Sequence, residues 1–221
     1  MQSSSSAVER FSALTAIPEC RHAFIGRIPE IEVSYDKAEV LARLDAAHRE
    51  IRASLAMDRG PLLTAQQVHG DRIAVIDQPA KSDECFSECD GLITNQPGAY
   101  LGIYVADCCA VFIVDPIHSC IGLVHSGKKG TELGIARSAI AQMGKAFGSV
   151  PADLVVQLSP CIRPPHYEID FAPDIMRQCR EAGVAAVYDC NTCTACDLNR
   201  YYSYRAEKGR TGRMLALLAK D

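Results

Sequence analysis

Three well-separated stretches of the chain each carry a strong metal ligand beside an expected strand. His69 lies in the tetrapeptide QVHG, Cys108 lies in the run VADCC, and His125 lies in VHSG. Two imidazoles and one thiolate are a typical three-residue ligand set for zinc, and such a set leaves a fourth position open for water or substrate. These residue types therefore indicate a catalytic metal centre, provided that the fold brings the three side chains together.

The same residues also have an ordinary structural explanation. A single histidine beside an apolar strand is more often a hydrogen-bonded core residue, and a cysteine within such a strand is more often packed as a small apolar side chain. Because the three side chains come from separate strands, their spacing along the chain does not decide between the two explanations. Composition and pattern alone leave both open.

The elements that would position these residues alternate between helices and strands. Apolar residues at helical spacing predict a helix from Asp36 to Met57, where neither Gly nor Pro occurs. Short apolar runs between turn residues predict buried strands, and two further helices are expected. The strands are predicted at residues 72–76, 91–94, 100–105, 111–114, 121–124, 154–158, 184–188 and 213–219, and the helices at 131–147 and 173–182.

This order of elements predicts one mixed α/β (α+β) domain over residues 1–221, with a mixed β-sheet flanked by helices. Residues 1–10, which are polar and rich in serine, are expected to be flexible. No apolar run approaches the roughly 20 residues that span a bilayer, and the start of the chain lacks the apolar core of a secretory signal. We therefore expect a cytoplasmic protein.

Charge and cysteine content exclude some classes of protein. The net charge of −4 argues against nucleic acid or an anionic membrane as the main partner, which leaves a small-molecule substrate. Eleven cysteines is a high count, but the number is odd and Cys108 and Cys109 are adjacent. A disulfide framework does not fit this pattern. The sequence does not indicate an oligomeric state.

Several motifs occur in the order and at about the intervals of one protein family. Three motifs resemble the family signatures QVHG, TADC and VHAGWRG. They are QVHG at 67–70, ADC at 106–108, and VHSG at 124–127 with Gly130. Further resemblances lie in CDGLIT at 89–94, LSPCI at 158–162, CT at 193–194, YSYR at 202–205 and TGRM at 211–214. The chain thus resembles, over about residues 65–217, the YfiH-like, laccase-domain group. Its members were formerly called multicopper polyphenol oxidases and are now regarded as purine nucleoside phosphorylases.

The resemblance implies a YfiH-like fold in which His69, Cys108 and His125 bind one zinc ion. It also implies phosphorolysis of purine nucleosides such as adenosine and inosine, with 5′-methylthioadenosine as a further candidate, and zinc-dependent deamination of adenosine. Zinc would lower the pKa of a bound water to about 7 for attack on a purine carbon. Cys109 would point to the opposite face of its strand. Six histidines are too few for a multicopper oxidase.

Further residues are candidates for acid–base chemistry and phosphate binding. Asp107, beside Cys108, could orient an imidazole or carry a proton, although a strand-end turn residue fits equally well. Lys128 and Lys129 precede the predicted helix 131–147, whose free N–H groups favour an anion; a solvated basic turn is the alternative. Arg205 and Arg213 are further candidates for phosphate binding, because they lie in the matched motifs YSYR and TGRM.

The chain departs from the family pattern at the phosphate-binding motif. Lys128 and Lys129 stand where the family has Trp-Arg, and the chain has no tryptophan. Arg binds phosphate through a planar fork, whereas Lys offers a point charge, so phosphate binding is expected to be weaker or arranged differently. The glycine-rich N-terminal segment is hard to find and the region after Asp170 looks shortened, so the preferred nucleoside stays open.

Other functions also fit parts of the pattern. Cys108 and His125 could form the nucleophile–base pair of a hydrolase that cleaves an amide, such as one in a peptidoglycan precursor. A non-catalytic zinc-containing binding module would keep the fold without turnover. The CxxCxxC run could bind a second zinc with help from a CxxxC pair, although packing is the simpler explanation. These two runs consist of Cys190, Cys193 and Cys196, and of Cys85 and Cys89.

Overall fold

Two mixed sheets of six strands each organise the computed structural model, which describes residues 7–220. In spatial order, the first sheet contains β1 (Val8–Glu9), β2 (Cys20–Ile25), β12 (Met214–Lys220), β7 (Tyr100–Val105), β3 (Leu62–Ala65) and β5 (Glu84–Phe86). Strand β3 pairs in parallel with both β7 and β5, and the remaining pairs are antiparallel.

Two of the three expected metal ligands lie at one end of neighbouring strands of the second sheet, His125 in β9 and Cys108 directly before β8. In spatial order, it contains β11 (Ala186–Asp189), β10 (Val155–Leu158), β8 (Cys109–Asp115), β9 (Cys120–Ser126), β6 (Gly91–Thr94) and β4 (Ile73–Ile76). The outer pairs β10–β11 and β4–β6 are parallel, whereas β8, β9, β6 and β10 pair antiparallel.

The core lies between the two sheets and continues on their outer faces. Leu101 of β7 and Leu218 of β12 share one buried cluster with Phe112 of β8 and Leu123 of β9. Successive residues of a strand point to opposite faces, and Val124 accordingly belongs to a separate cluster beneath the helices. Strands buried on both faces explain the apolar runs without alternation.

Helices cover the outer faces of both sheets. Helix α2 (Lys37–Ser54) packs Ile51 against Leu215 of the first sheet, while α4 (Ile135–Phe147) and α5 (Ala172–Glu181) cover the second sheet. Two short helices complete the set, α1 (Ser12–Thr15) and α3 (Lys128–Leu133). The layer order is therefore helix, sheet, sheet, helix.

The mixed α/β class predicted from the sequence is confirmed, with the strands divided between two sheets. The helix predicted at 131–147 is wrong as one element, because Gly134 adopts a left-handed conformation with φ of 78° that ends α3 and begins α4. The pattern of apolar residues did not predict strands β2, β3 and β5. In the described residues, we find no helix that is long and apolar enough to cross a membrane.

The prediction of a flexible segment over residues 1–10 does not hold for Val8–Glu9. This dipeptide forms β1 and pairs with Phe24 and Ile25 of β2. Residues 1–6 lie outside the described part of the chain. The edge strand of the first sheet is only two residues long. Such a short segment shows no alternation of apolar and polar residues, so the sequence could not reveal it.

Removal of a large side chain from the core between the sheets should destabilise both sheets together. Phe112 is fully buried and packs edge-on against Phe11, so Phe112→Ala is expected to lower the free energy of unfolding by about 3–5 kcal/mol. Tyr35 is 74% exposed, and Tyr35→Ala should change it by less than about 0.5 kcal/mol. Denaturant unfolding measures both values. Equal stability of the two variants would contradict a core shared by the sheets.

Candidate metal centre

His69, Cys108 and His125 converge at one place, although three different elements deliver them. His69 lies four residues after β3, Cys108 immediately precedes β8, and His125 lies near the end of β9. The register of β8 on β9 pairs Cys109 with Ser126, so the neighbouring Cys108 and His125 meet at the same end of the second sheet. The pairing of β3 with β7 brings the QVHG loop to that same end.

The three side chains have the spacing of a metal-binding group. One ligand atom from each residue lies within 4.8 Å of the other two, and the rings of His69 and His125 stand at 80° with centroids 4.8 Å apart. Ligands bound to one zinc at about 2.0–2.3 Å lie a little closer together than this, so a small contraction would complete the site. Within residues 7–220, this is the only group of three or more such side chains that could hold a metal ion.

Asp90 holds both histidines in place, and sequence reasoning assigned it no role. Its Oδ1 accepts a hydrogen bond from Nδ1–H of His125 at 2.8 Å. Since a carboxylate can only accept, Nδ1 carries a proton, and Nε2, which donates to Cys108, is the nitrogen that a metal would bind after that proton leaves. The backbone carbonyl of Asp90 also accepts from the His125 N–H at 2.7 Å. The only sequence signal was the position of Asp90 inside the matched CDGLIT motif.

The same carboxylate shapes the loop that carries His69. It accepts from three successive backbone N–H groups, of Val68 at 3.1 Å, His69 at 2.9 Å and Gly70 at 2.7 Å. His69 adopts φ of 60°, a left-handed conformation that is unfavourable for a residue with a side chain. Burial raises the pKa of Asp90, but the hydrogen bonds from His125 and the loop outweigh it and hold the pKa below its usual range. Asp90 is therefore an anionic anchor of this loop.

A glycine makes room for the sulfur of Cys108. A Cβ atom at Gly127 would lie 2.3 Å from Cys108 Sγ, so any side chain there would displace the ligand. Cys109 points the other way, as predicted, and its buried Sγ approaches the carbonyl oxygen of Ser159 at 3.7 Å. Only the first cysteine of the pair reaches the metal-binding group.

The electrostatics of the centre favour a deprotonated sulfur. Burial raises the pKa of Cys108, but the charge of His125 and hydrogen bonds from both histidines lower it to about 6. For His125, burial lowers the pKa, and the nearby Cys108 and Asp90 raise it to about 9. The thiolate is the form of cysteine that binds a metal and acts as a nucleophile.

The centre opens into a pocket of about 500 Å³. Lys128, Arg205 and Arg213, for which the sequence predicts phosphate binding, line it, and Lys37 of α2 lines it as well. No feature of the sequence pointed to Lys37. Aromatic and aliphatic side chains also line the pocket, namely Tyr104, Ile162, Tyr167, Phe171 and Tyr204.

The structure does not bring Lys129 to the pocket. Helix α3 begins at Lys128, and Lys129 follows about 100° further around the helix, where it is exposed and lines no part of the cavity. The phosphate-binding role predicted for the Lys128–Lys129 pair thus depends on Lys128 alone in this geometry.

The prediction that Asp107 orients an imidazole is wrong in this structure. Its carboxylate accepts from Thr194 Oγ1 at 2.8 Å and from the backbone N–H of Arg205 at 2.9 Å, while Asp90 makes the contact to His125. Burial raises the pKa of Asp107 above its usual range. Asp107 does line the pocket, so a role in proton transfer stays a prediction.

The CxxCxxC run does not form a second metal-binding group within the described residues. Cys196 is exposed, Cys193 Sγ approaches the carbonyl oxygen of Arg163 at 3.8 Å, and Cys89 Sγ approaches that of Phe86 at 3.4 Å. The thiol of Cys196 also hydrogen-bonds with that of Cys193, which raises the pKa of Cys196. Within the described residues, no third ligand joins this pair.

Comparison with known proteins identifies the family. The family described as multi-copper polyphenol oxidoreductase laccase matches residues 28–177 and 170–221. The chain belongs to this family. The match extends the likeness seen in the motifs toward both ends of the chain, and it confirms the resemblance from which the metal ligands were predicted.

Relatives and solved structures agree with this family membership. Purine nucleoside phosphorylase YlmD of Geobacillus stearothermophilus is 27% identical over 86% of this chain and 82% of its own, and purine nucleoside phosphorylase SCO2081 of Streptomyces coelicolor is 33% identical over 64% and 55%. The crystal structure of Bacillus licheniformis YfiH superposes with a TM-score of 0.81 at 22% identity and covers 93% of this chain and 94% of that one. The YfiH structure therefore has the same fold as this chain.

Asp90 should contribute more to metal affinity than Asp107, which is adjacent to Cys108 in the sequence. Asp90→Asn is expected to lower the affinity for Zn²⁺ about 10–100-fold, because it removes the charge that holds His125 and the His69 loop. Asp107→Asn is the matched control and should leave that affinity nearly unchanged, since Asp107 contacts neither histidine. Competition with a chromogenic chelator measures both, and equal losses would contradict this role of Asp90.

Proposed function

We propose that this protein is a zinc-dependent purine nucleoside phosphorylase that acts on adenosine and inosine, and on 5′-methylthioadenosine as a further candidate. The observation that carries the proposal is the convergence of His69, Cys108 and His125 at the floor of a pocket lined by cations and aromatic side chains. The relatives named purine nucleoside phosphorylase support the same reaction class.

The donor set fits zinc better than copper. Two imidazole nitrogens and a thiolate suit zinc with an open fourth position, whereas blue-copper sites add a weak axial ligand that is often methionine. Met214 is buried in the core between the sheets, and no methionine lines the pocket. When bound by these residues, zinc supplies a Lewis acid that polarises a substrate oxygen or activates water.

The residues of the pocket can hold both substrates of a phosphorolysis. In this reaction phosphate displaces the purine from C1′ of the ribose, which yields the free base and ribose 1-phosphate. The cationic side chains attract phosphate, and the aromatic side chains offer faces on which a purine can stack. Gln67 donates to the carbonyl of Tyr104 at 2.6 Å and leaves its Oε1 buried without a partner among the described residues, as an acceptor for the base.

Asp107 is the residue that we propose for proton transfer to the departing base. It lines the pocket beside the metal centre, and hydrogen bonds from Thr194 and the Arg205 backbone fix its carboxyl group. Deamination of adenosine belongs to the same proposal as a second activity, because it would use the same metal centre and the same purine site.

Turnover of nucleosides by the zinc-loaded protein tests the proposal. With adenosine, phosphate-dependent release of adenine and ribose 1-phosphate is expected, and inosine formed without phosphate would report deamination; chromatography separates the products. Cys108→Ala should lose both bound zinc and turnover, whereas the buried neighbour Cys109→Ala should keep both. Full zinc occupancy and activity in Cys108→Ala would overturn the assignment, and absence of turnover across a nucleoside panel would favour a non-catalytic binding module.

A hydrolase with a Cys108–His125 pair is the second candidate. The low pKa of the Cys108 thiol and its contact with His125 are also the features of an activated nucleophile that attacks an amide. A strong chelator separates the two functions. Phosphorolysis should stop on chelation and return with zinc, whereas activity of a cysteine–histidine pair toward an amide should persist without metal.

A further inference from the structure

Three cations share the pocket without carboxylate partners. Lys37, Lys128 and Arg213 line it, and no salt bridge of the described residues includes any of them. Arg205, by contrast, pairs with Glu168 at 3.2 Å and stacks over the Tyr167 ring. Like charges gathered in one cavity repel one another, and a bound anion relieves this repulsion.

Lys37 and Arg213 are the two members of this group that are partly buried. Burial lowers the pKa of Lys37 and the charge of Arg213 lowers it further, while Asp90 and Cys85 oppose the shift. Burial also lowers the pKa of Arg213. Partly desolvated cations cost free energy unless a counter-charge compensates, so their placement indicates an anionic ligand between them.

The fold fixes Lys37 in place before any ligand binds. Lys37 is the first residue of α2, and the preceding Asp36 caps this helix by accepting from the N–H groups of Ala38 at 2.7 Å and Glu39 at 3.0 Å. A β-bridge between Ser34 and Thr211 ties the start of α2 to the loop that carries Arg213. The capping carboxylate occupies two of the N–H groups at the start of the helix, so the lysine side chain is the main group that this element offers to an anion.

We propose that Lys37 and Arg213 together bind inorganic phosphate, and we call this pair of residues the oxyanion cradle. Lys37 supplies a positive charge in the pocket, which Lys129 does not reach. This inference rests on the proposed function for the role of phosphate as co-substrate. It adds a residue outside every motif by which the family was recognised. Lys128, which is exposed and also lines the pocket, is then a further cation of the same site.

Titration calorimetry of the zinc-loaded protein with inorganic phosphate tests the cradle without turnover. Lys37→Gln is expected to weaken phosphate binding about tenfold, as loss of one charge-assisted hydrogen bond does. Lys37→Arg should remain within about threefold of the parent, since it keeps the charge. Lys145→Gln, the same change at an exposed lysine of α4 away from the pocket, is the matched control and should bind phosphate as the parent does.

Kinetics separate the cradle from the proposed reaction. Lys37→Gln should raise the KM for phosphate about tenfold and leave the KM for the nucleoside within about twofold. Phosphate binding that depends on Lys37 in a protein without nucleoside turnover would support the cradle and overturn the phosphorylase function. Phosphorolysis with an unchanged KM for phosphate in Lys37→Gln would overturn the cradle and keep the function.

A second titration identifies the source of the oxyanion. A nucleoside 5′-monophosphate carries the same group attached to its sugar. If Lys37→Gln weakens binding of the monophosphate and leaves inorganic phosphate unchanged, the assignment to inorganic phosphate is overturned. If it weakens inorganic phosphate, with or without the monophosphate, the assignment stands.

Discussion

The buried carboxylate of Asp90 holds the imidazole of His125 and the backbone of the loop that carries His69. One oxygen accepts from Nδ1–H of His125, and the two together accept from the three N–H groups of Val68, His69 and Gly70. Four donors thus converge on one anion, and the backbone carbonyl of Asp90 separately accepts from the His125 N–H. Each hydrogen bond to a charged group in a buried setting is stronger than a neutral one, so a single side chain can fix two ligands from distant elements.

The layered architecture makes this arrangement possible. Strands β8 and β9 place Cys108 and His125 at one end of the second sheet, and β3 directs the QVHG loop toward it from the first sheet. Because the two sheets share a close-packed core, the relative position of these ends is set by many contacts. A centre built across two sheets is therefore rigid before a metal binds, which suits a site that keeps one coordination position open.

The pocket beside the centre combines two kinds of side chain. Aromatic and aliphatic side chains line it together with cations from α2, α3 and the loop before β12. Lys37 is one of these cations although it lies 176 positions before Arg213 in the chain. In a pocket partly shielded from water, charges interact more strongly than on an open surface, so one additional lysine changes the affinity for an anion.

The sequence by itself determined the mixed α/β class, most strands and the helix that begins after Asp36, and its motifs selected the three residues that converge as a group able to hold a metal. It offered Asp107 as a residue that could orient an imidazole or carry a proton, because it is adjacent to Cys108, whereas in the tertiary structure Asp90 contacts the imidazole. Likewise only the fold separated Lys129 from the pocket and brought Lys37 into it. The reason is physical: local patterns report which face of an element is buried, whereas contacts between residues far apart in the chain depend on how the sheets pack and pair.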